Sequence, residues 1–351
     1  MALQEKMRAA VLRGFDKIMV EDVPMPILRA GTILLKVKAC SICGSDIRIM
    51  SSGNKRVKFP AIIGHEMAGE VAAIGKNVKG FKIGDQLSIG ADVPCGKCQY
   101  CKRGDGNCCG INYAMGYQFA GGFAQYCLLN EMVVKYGPIC KIPKGVKMEE
   151  AALAEPLACC INGFERVCFS KGKSVLIIGA GPIGLLLLQT AKALGASLIV
   201  IADQDQARLK TSKRFAPDHM IHTEKNDLVK TALRLTQQEG FDAIFTACPS
   251  ADAQEAAVKL LAKRGVLNFF GGLSADSRNI NIFSNDIHYK EAYVTGSHGS
   301  TPRQHKMAVA LIAKKKVKVA DLITHRFSLE NIVEAFDTSK KRIGLKVVVI
   351  P

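Results

Sequence analysis

Up to about Ala151 the chain alternates short apolar runs with glycines. Thr32-Ile-Leu-Leu-Lys-Val-Lys and Gly69-Glu-Val-Ala-Ala-Ile alternate or are β-rich, and Gly80-Phe-Lys-Ile-Gly-Asp has the glycines of a turn between strands. After Ala151 the pattern changes. An alanine-rich stretch through Glu155-Pro156 towards Ser170 reads as helix. Ser174-Val-Leu-Ile-Ile is a short, wholly apolar run, Leu185 to Leu194 reads as helix, and Ser197-Leu-Ile-Val-Ile-Ala is a second apolar run. Asp242-Ala-Ile-Phe-Thr-Ala and Val266-Leu-Asn-Phe-Phe-Gly-Gly continue the series, separated by helical sequence. Buried strands alternating with helices predict a parallel sheet covered on both faces. Glycine-rich character returns near Tyr293 to Gly299, and Lys346-Val-Val-Val-Ile is a last strand. The predicted order is a β-rich domain over 1–156, an α/β domain over 157–294, and a return to the first domain over 295–351.

A chain of 351 residues is long enough for two cores. Its 48% hydrophobic and 23% charged residues exclude a disordered or fibrous protein. No apolar run reaches the ~20 residues of a membrane span, and the opening MALQEKMRAAVLRG lacks the apolar core of a secretory signal. The expected location is cytoplasmic. The net charge of +17 attracts anions. The lysines are spread, however. The densest runs, Lys314 to Lys318 and Lys340 to Arg342, have no interleaved aromatics, so nucleic acid is not an expected partner.

Gly179 to Gly184 reads GAGPIG, a G-x-G-x-x-G motif between an apolar strand and a helix, the context it needs to bind a dinucleotide. Gly179 permits the tight turn, Gly181 lets the backbone approach a pyrophosphate, and Gly184 lets helix and strand pack closely. Free N–H groups at the helix N-terminus would hold the pyrophosphate. Asp203 ends the next strand, where a carboxylate accepts hydrogen bonds from the adenosine ribose and repels a 2′-phosphate. NAD is therefore expected over NADP, with Arg208 as a nearby cation that works the other way.

Thirteen cysteines without a secretory signal point to a reducing compartment and to metal rather than disulfides. Cys95, Cys98 and Cys101 are two residues apart, and Cys108 and Cys109 follow. Three thiolates on one tight loop and a fourth from its return fit a closed tetrahedral zinc site in a lobe at about 90–112. The spacing suits zinc better than an iron–sulfur cluster or unligated thiols.

Cys43 in CSICGSD, His65-Glu66 in GHEMAGEVAAIG and Glu155 in AEPLACC each have a plain reading alone: a buried thiol, a turn histidine, a helix-start carboxylate. Together they resemble the zinc-dependent medium-chain alcohol dehydrogenase superfamily. GHEMAGEVAAIGKNV, Gly64 to Val78, is similar to the family signature. CGSD, the spaced cysteines, EPLA and GAGPIG stand in the family's order and at its distances, over essentially the whole chain. The resemblance is to the sorbitol (polyol) dehydrogenase branch. It implies an α/β protein: a GroES-like β-rich catalytic domain interrupted by a Rossmann doubly wound parallel-sheet domain. It places a catalytic zinc on Cys43, His65 and Glu66, with Glu155 as a further ligand or near-ligand, and a structural zinc on Cys95, Cys98, Cys101 and Cys109 rather than Cys108. Ser45 falls on the hydroxyl that moves the substrate proton, and Asp46 on a residue that orients a zinc ligand. Pro182, Ile183 and Gly271 join Gly179, Gly181, Gly184, Asp203 and Arg208 in the NAD site.

The implied activity is hydride transfer between NAD and a secondary alcohol, a polyol or sugar alcohol, in a homodimer or homotetramer. L-threonine dehydrogenase and sugar-alcohol-phosphate dehydrogenase are the enzymatic alternatives. A non-enzymatic relative would be expected to lose the ligands this chain keeps. Phe119 and the segment 296–303, with His298 and Arg303, fall near the substrate by family position. Two departures stand out. A carboxylate replaces a cysteine ligand, which suits oxygen-rich substrates and leaves water, Glu66 or Glu155 for the last position. Arg48 stands where many relatives end a proton relay with histidine, and a guanidinium cannot accept a proton. The relay then ends at water or another base, and Arg48 is left as a structural salt bridge or a contact to a substrate or cofactor phosphate.

Overall fold

Strand sequence of the first region folds as its alternation dictates. In Ile33–Ser41, Lys36 is exposed while Ile33, Leu35 and Val37 are buried, and the neighbouring strand Glu66–Ile74 buries Met67 and Val71 beside them. The computed structural model describes residues 5–274 and 276–351. It divides into two compact units, Met1–Ala158 with Gly299–Pro351, and Cys159–His298.

The first unit is built on a sheet with the order Ile323–Ser328, Lys346–Ile350, Ile33–Ser41, Glu66–Ile74, Gln86–Ile89 and Ile139–Lys141. Tyr126–Leu129 also pairs with Ile33–Ser41. Its core includes Leu12, Leu35, Ile63, Met67, Leu87 and Phe123, with Phe336 of helix Ile332–Lys340 packed edge-on to Phe123 at 5.4 Å. Fully burying side chains of this size is worth roughly 1.5–3 kcal/mol each. The C-terminal strand thus completes a core begun by the N-terminal third. Register then joins three strands: Ser41, the last residue of its strand, lies opposite Glu66, the first of the next, on one side and Val348, the middle of the C-terminal strand, on the other.

The second unit carries a six-stranded parallel sheet in the order His219–His222, Leu198–Asp203, Ser174–Ile178, Phe241–Thr246, Leu261–Phe269, Tyr293–Gly296. Numbered along the chain this is 3-2-1-4-5-6, the Rossmann order, with its switch point beside Ser174–Ile178. Tyr293–Gly296 is the sixth strand of this sheet, so the glycines near it do not mark a return to the first unit. The seams fall at Ala158/Cys159 and His298/Gly299, not after 156 and 294, and helix Ala154–Arg166 runs unbroken past the first of them. No helix among the described residues is long and apolar enough to cross a membrane.

One buried polar pair makes the first unit pH-sensitive. Ser88 Oγ donates to Ala151 O at 2.7 Å and lies 3.0 Å from Nε2 of His305, which is fully buried. Burial pushes the His305 pKa down to about 4. The unfolded chain, with an ordinary histidine near ~6.5, takes the proton first. Stability therefore falls as pH drops from about 6.5 to 4, by up to about 3 kcal/mol. In His305→Gln this part of the pH dependence of urea unfolding is expected to vanish. An unchanged dependence would remove His305 as its source.

Candidate active site

Gly64 explains how His65 reaches its place. Its φ is +99°, and a Cβ there would press on Cys40 Sγ and the Phe123 ring at 2.8 Å, so only glycine allows this entry into strand Glu66–Ile74. Cys43 lies directly before helix Gly44–Ser52. The ligand atoms of Cys43, His65 and Glu66 all lie within 4.8 Å of one another. His65 and Glu66 are buried, and Cys43 is half-buried.

Asp46 organises two of the three. It is wholly buried, its Oδ2 accepts the Cys43 N–H at 2.9 Å, and its Oδ1 lies 3.3 Å from His65 Nδ1 without the alignment of a hydrogen bond. That turns His65 Nε2 towards Ser45, whose Oγ is 3.3 Å away. A carboxylate behind the far nitrogen is the arrangement that orients a metal-binding imidazole. Burial works against charge on His65, but Asp46 and Cys43 outweigh it and hold its pKa well above the ordinary value.

The sequence reading missed Lys346. It is buried, and its Nζ donates to Glu66 Oε2 at 2.5 Å and to Ile42 O at 3.0 Å. Nothing local marked it, since it opens an apolar strand and meets Glu66 only through the sheet register. Glu66 Oε1 is left buried without a partner. Glu155 stands outside the three-ligand group. Burial pushes its pKa up to about 7, with Glu66 and Asp92 adding to the rise and His65 and Lys346 opposing it. Cys43, Glu66 and Glu155 therefore act on one lysine, with Asp46 behind His65. A thiol, an imidazole and an orphaned carboxylate oxygen in an acidic, buried setting fit a divalent ion of zinc's chemistry. In the metal-free protein Lys346→Met leaves Glu66 buried without its cation, which should cost about 3–5 kcal/mol of stability. A thermal midpoint equal to that of the unaltered protein would contradict this.

The second cluster is equally well defined. The sulfurs of Cys95, Cys98, Cys101 and Cys109 lie together, with Cys98 at 3.4 Å from Cys101 and 3.9 Å from Cys109, and Cys95 at 3.8 Å from Cys101. Thiolates around zinc at ~2.3 Å stand about 3.8 Å apart in a tetrahedron, so the four fit that ion. Cys108 is exposed and outside the group. The Cys101 N–H directed at Cys98 leads a set of hydrogen bonds that hold the Cys98 thiol down to about 6, favouring the ligating form.

In the second unit Gly179 has φ +115°, and a Cβ on Gly184 would collide with the Gly179 carbonyl oxygen. Helix Pro182–Ala193 starts with Pro182 and Ile183, and no side chain caps it. A Cβ on Gly181 would point into open space and meet only Arg208 Nη1, at 3.7 Å, so the backbone there is accessible to a phosphate. Asp203 Oδ2 accepts the Ala180 N–H at 2.6 Å and Oδ1 the Asp205 N–H at 2.9 Å. The carboxylate is thereby fixed at the strand end. Arg208 lies 3.8 Å from Asp205. Gly271 N donates to Thr246 O at 2.7 Å, and a Cβ would meet the Cys248 backbone at 2.8 Å. These residues leave the cradle a dinucleotide pyrophosphate needs.

Of the residues placed near substrate by resemblance, Phe119 packs edge-on to Tyr113 at 5.4 Å, and His298 and Arg303 are exposed. Tyr117, which the sequence reading did not single out, has its ring 5.8 Å from that of His65 and interacts with Ser45.

The alcohol dehydrogenase GroES-like domain matches residues 29–141, and the zinc-binding dehydrogenase domain matches 182–314. A sorbitol dehydrogenase of Halalkalibacterium halodurans is 32% identical over 96% of this chain and 97% of its own. A D-arabitol-phosphate dehydrogenase of Enterococcus avium is 31% identical over 96% and 94%. A zinc-binding dehydrogenase from Sinorhizobium meliloti 1021, solved bound to NADP, superposes with a TM-score of 0.92 at 27% identity, covering 99% of this chain and 100% of that one.

Proposed function

The chain belongs to the zinc-dependent medium-chain alcohol dehydrogenases, as a polyol dehydrogenase of the sorbitol dehydrogenase type, and on that premise we propose that it oxidises a secondary hydroxyl of a polyol with NAD, reversibly, at Cys43, His65 and Glu66. The observation that carries this reading is the convergence of those three ligand atoms within 4.8 Å, beside the Ser45 hydroxyl.

Cys43, His65 and Glu66 would hold the catalytic zinc, with Glu155 near enough for its charge to act on the site. A bound zinc supplies Lewis acidity that lowers the pKa of a hydroxyl, as it lowers that of water from ~16 to ~7. Asp46 keeps His65 Nε2 aimed inward, and Lys346 offsets the charge of Glu66. Ser45 would take the proton from the substrate hydroxyl and pass its own to water, and a bound dinucleotide would supply the acceptor for the carbinol hydride, leaving a ketone.

Asp203, fixed at its strand end, supports NAD over NADP, because a carboxylate there faces a 2′-phosphate with like charge. Arg208 is shared with Asp205, which weakens its pull on such a phosphate. All thirteen cysteines stand outside disulfides, which supports a cytoplasmic setting. Exposed Phe283, Tyr289 and Tyr293 near the edge strand of the parallel sheet support a homodimer or homotetramer.

The test is NADH or NADPH formation with sorbitol, xylitol, threonine, inositol and polyol phosphates. A polyol should be turned over with NAD at least about tenfold better than with NADP, and Asp203→Ala should shrink that preference by about tenfold, or 1.4 kcal/mol. Turnover of threonine alone would contradict the polyol reading. Undiminished discrimination in the variant would clear Asp203 of the role.

A further inference from the structure

Helix Gly44–Ser52 has two faces. Asp46, Ile49 and Met50 are buried. Ser45, Arg48 and Ser52 succeed one another at i, i+3 and i+7 along the other face. Ser45 begins this stripe 3.3 Å from His65 Nε2. Arg48 is exposed, and its guanidinium has no hydrogen-bond or ion-pair partner among the described residues. The salt-bridge role open to it from sequence is therefore not the one the fold provides.

A second guanidinium is linked to the same hydroxyl through Tyr117. Arg56 lies over the Tyr117 ring, 4.2 Å from its centroid, and Tyr117 in turn packs towards His65 and interacts with Ser45. Arg56 donates to Asn112 O at 3.1 Å and Asn112 Oδ1 at 2.8 Å, both through Nη1. Its Nε and Nη2 are uncommitted among the described residues. Asn112 and Tyr117 thus hold one arginine in place, while Arg48 stands one helical turn beyond Ser45.

We propose that Arg48 and Arg56 form a subsite for the phosphate of a phosphorylated polyol whose carbinol lies at Ser45. The inference rests on the polyol dehydrogenase reading and narrows it. One turn of helix is about 5.4 Å, the span of the few carbons between an oxidised carbinol and a terminal phosphate. Guanidinium forks match phosphate oxygens in bidentate fashion, and two of them suit a dianion. The net charge of +17 draws such a substrate to the protein.

The experiment uses the metal-loaded full-length protein with sorbitol 6-phosphate, galactitol 1-phosphate and D-arabitol 5-phosphate, each beside its free polyol. At least one phosphorylated polyol should exceed its free counterpart by tenfold or more in kcat/KM. Arg48→Ala and Arg56→Ala should each cut that ratio at least tenfold, through KM for the phosphorylated substrate. Arg48→Lys should restore part of it. Arg13→Ala, which removes a positive charge elsewhere on the first unit, should leave the ratio as it was. Inorganic phosphate should bind by calorimetry and compete with the phosphorylated alcohol, and Arg48→Ala should weaken that binding. A ratio near one for every pair, or ratios that the arginine variants do not change, overturns the subsite while the polyol reading stands. A loss that falls on KM for NAD assigns the arginines to the cofactor's phosphates and also overturns it. If no polyol, free or phosphorylated, is oxidised, both fail together.

Discussion

Replacing Cys43 with alanine is expected to lower kcat by at least about 10⁴-fold while dinucleotide binding stays near normal. The variant removes the half-buried thiol of the three-ligand group, which belongs to the first unit, whereas the glycine motif belongs to the second. A shift in hydroxyl pKa of the size seen for metal-bound water is worth up to ~12 kcal/mol, so losing even half of it exceeds four decades in rate. Bound metal should fall from two ions per chain to one. Initial rates, metal content and NADH fluorescence titration read the three quantities separately. Near-normal turnover in Cys43→Ala would remove the sulfur from the chemistry.

Cys98→Ala is expected to act in the opposite sense, on stability before catalysis. The lobe between Cys95 and Cys109 holds only a four-residue helix and a three-residue 3₁₀ turn. With so little core, an ion held by its four sulfurs would contribute most of its folding energy. We expect the variant to lose the second metal and several kcal/mol of stability, and to be cut by protease first between Cys95 and Cys109. An unchanged melting midpoint with two metals still bound would show that the lobe stands without its sulfurs.

Much of this was legible because some residues have few alternative uses. GAGPIG between an apolar strand and a helix leaves little room for another structure, since Gly184 must lack a Cβ for the turn to close. The cysteine spacing was equally clear: the family spacing chose Cys109 over Cys108, and it is the Cys109 sulfur that lies with the other three. The strand His219–His222 was illegible for a physical reason: it lies at a sheet edge with His219 and Met220 exposed, so it carries no apolar run. Strand Leu261–Phe269 begins five residues before the apolar segment read from sequence, because Arg264 takes a positive φ where the register shifts. Lys346 was hidden more deeply. Its partner Glu66 is 280 residues away, and only the pairing of three strands brings them together. Glu155 shows the limit of motif matching, since the motif marks a carboxylate near the site and the fold decides that it stays outside the ligand group.

The most direct measurement is of metal dependence at the first-unit pocket. Protein stripped by exhaustive chelation should still bind NAD but form no NADH from any polyol, and stoichiometric zinc should restore the rate. Full turnover from protein that contains no metal at Cys43, His65 and Glu66 would contradict the account.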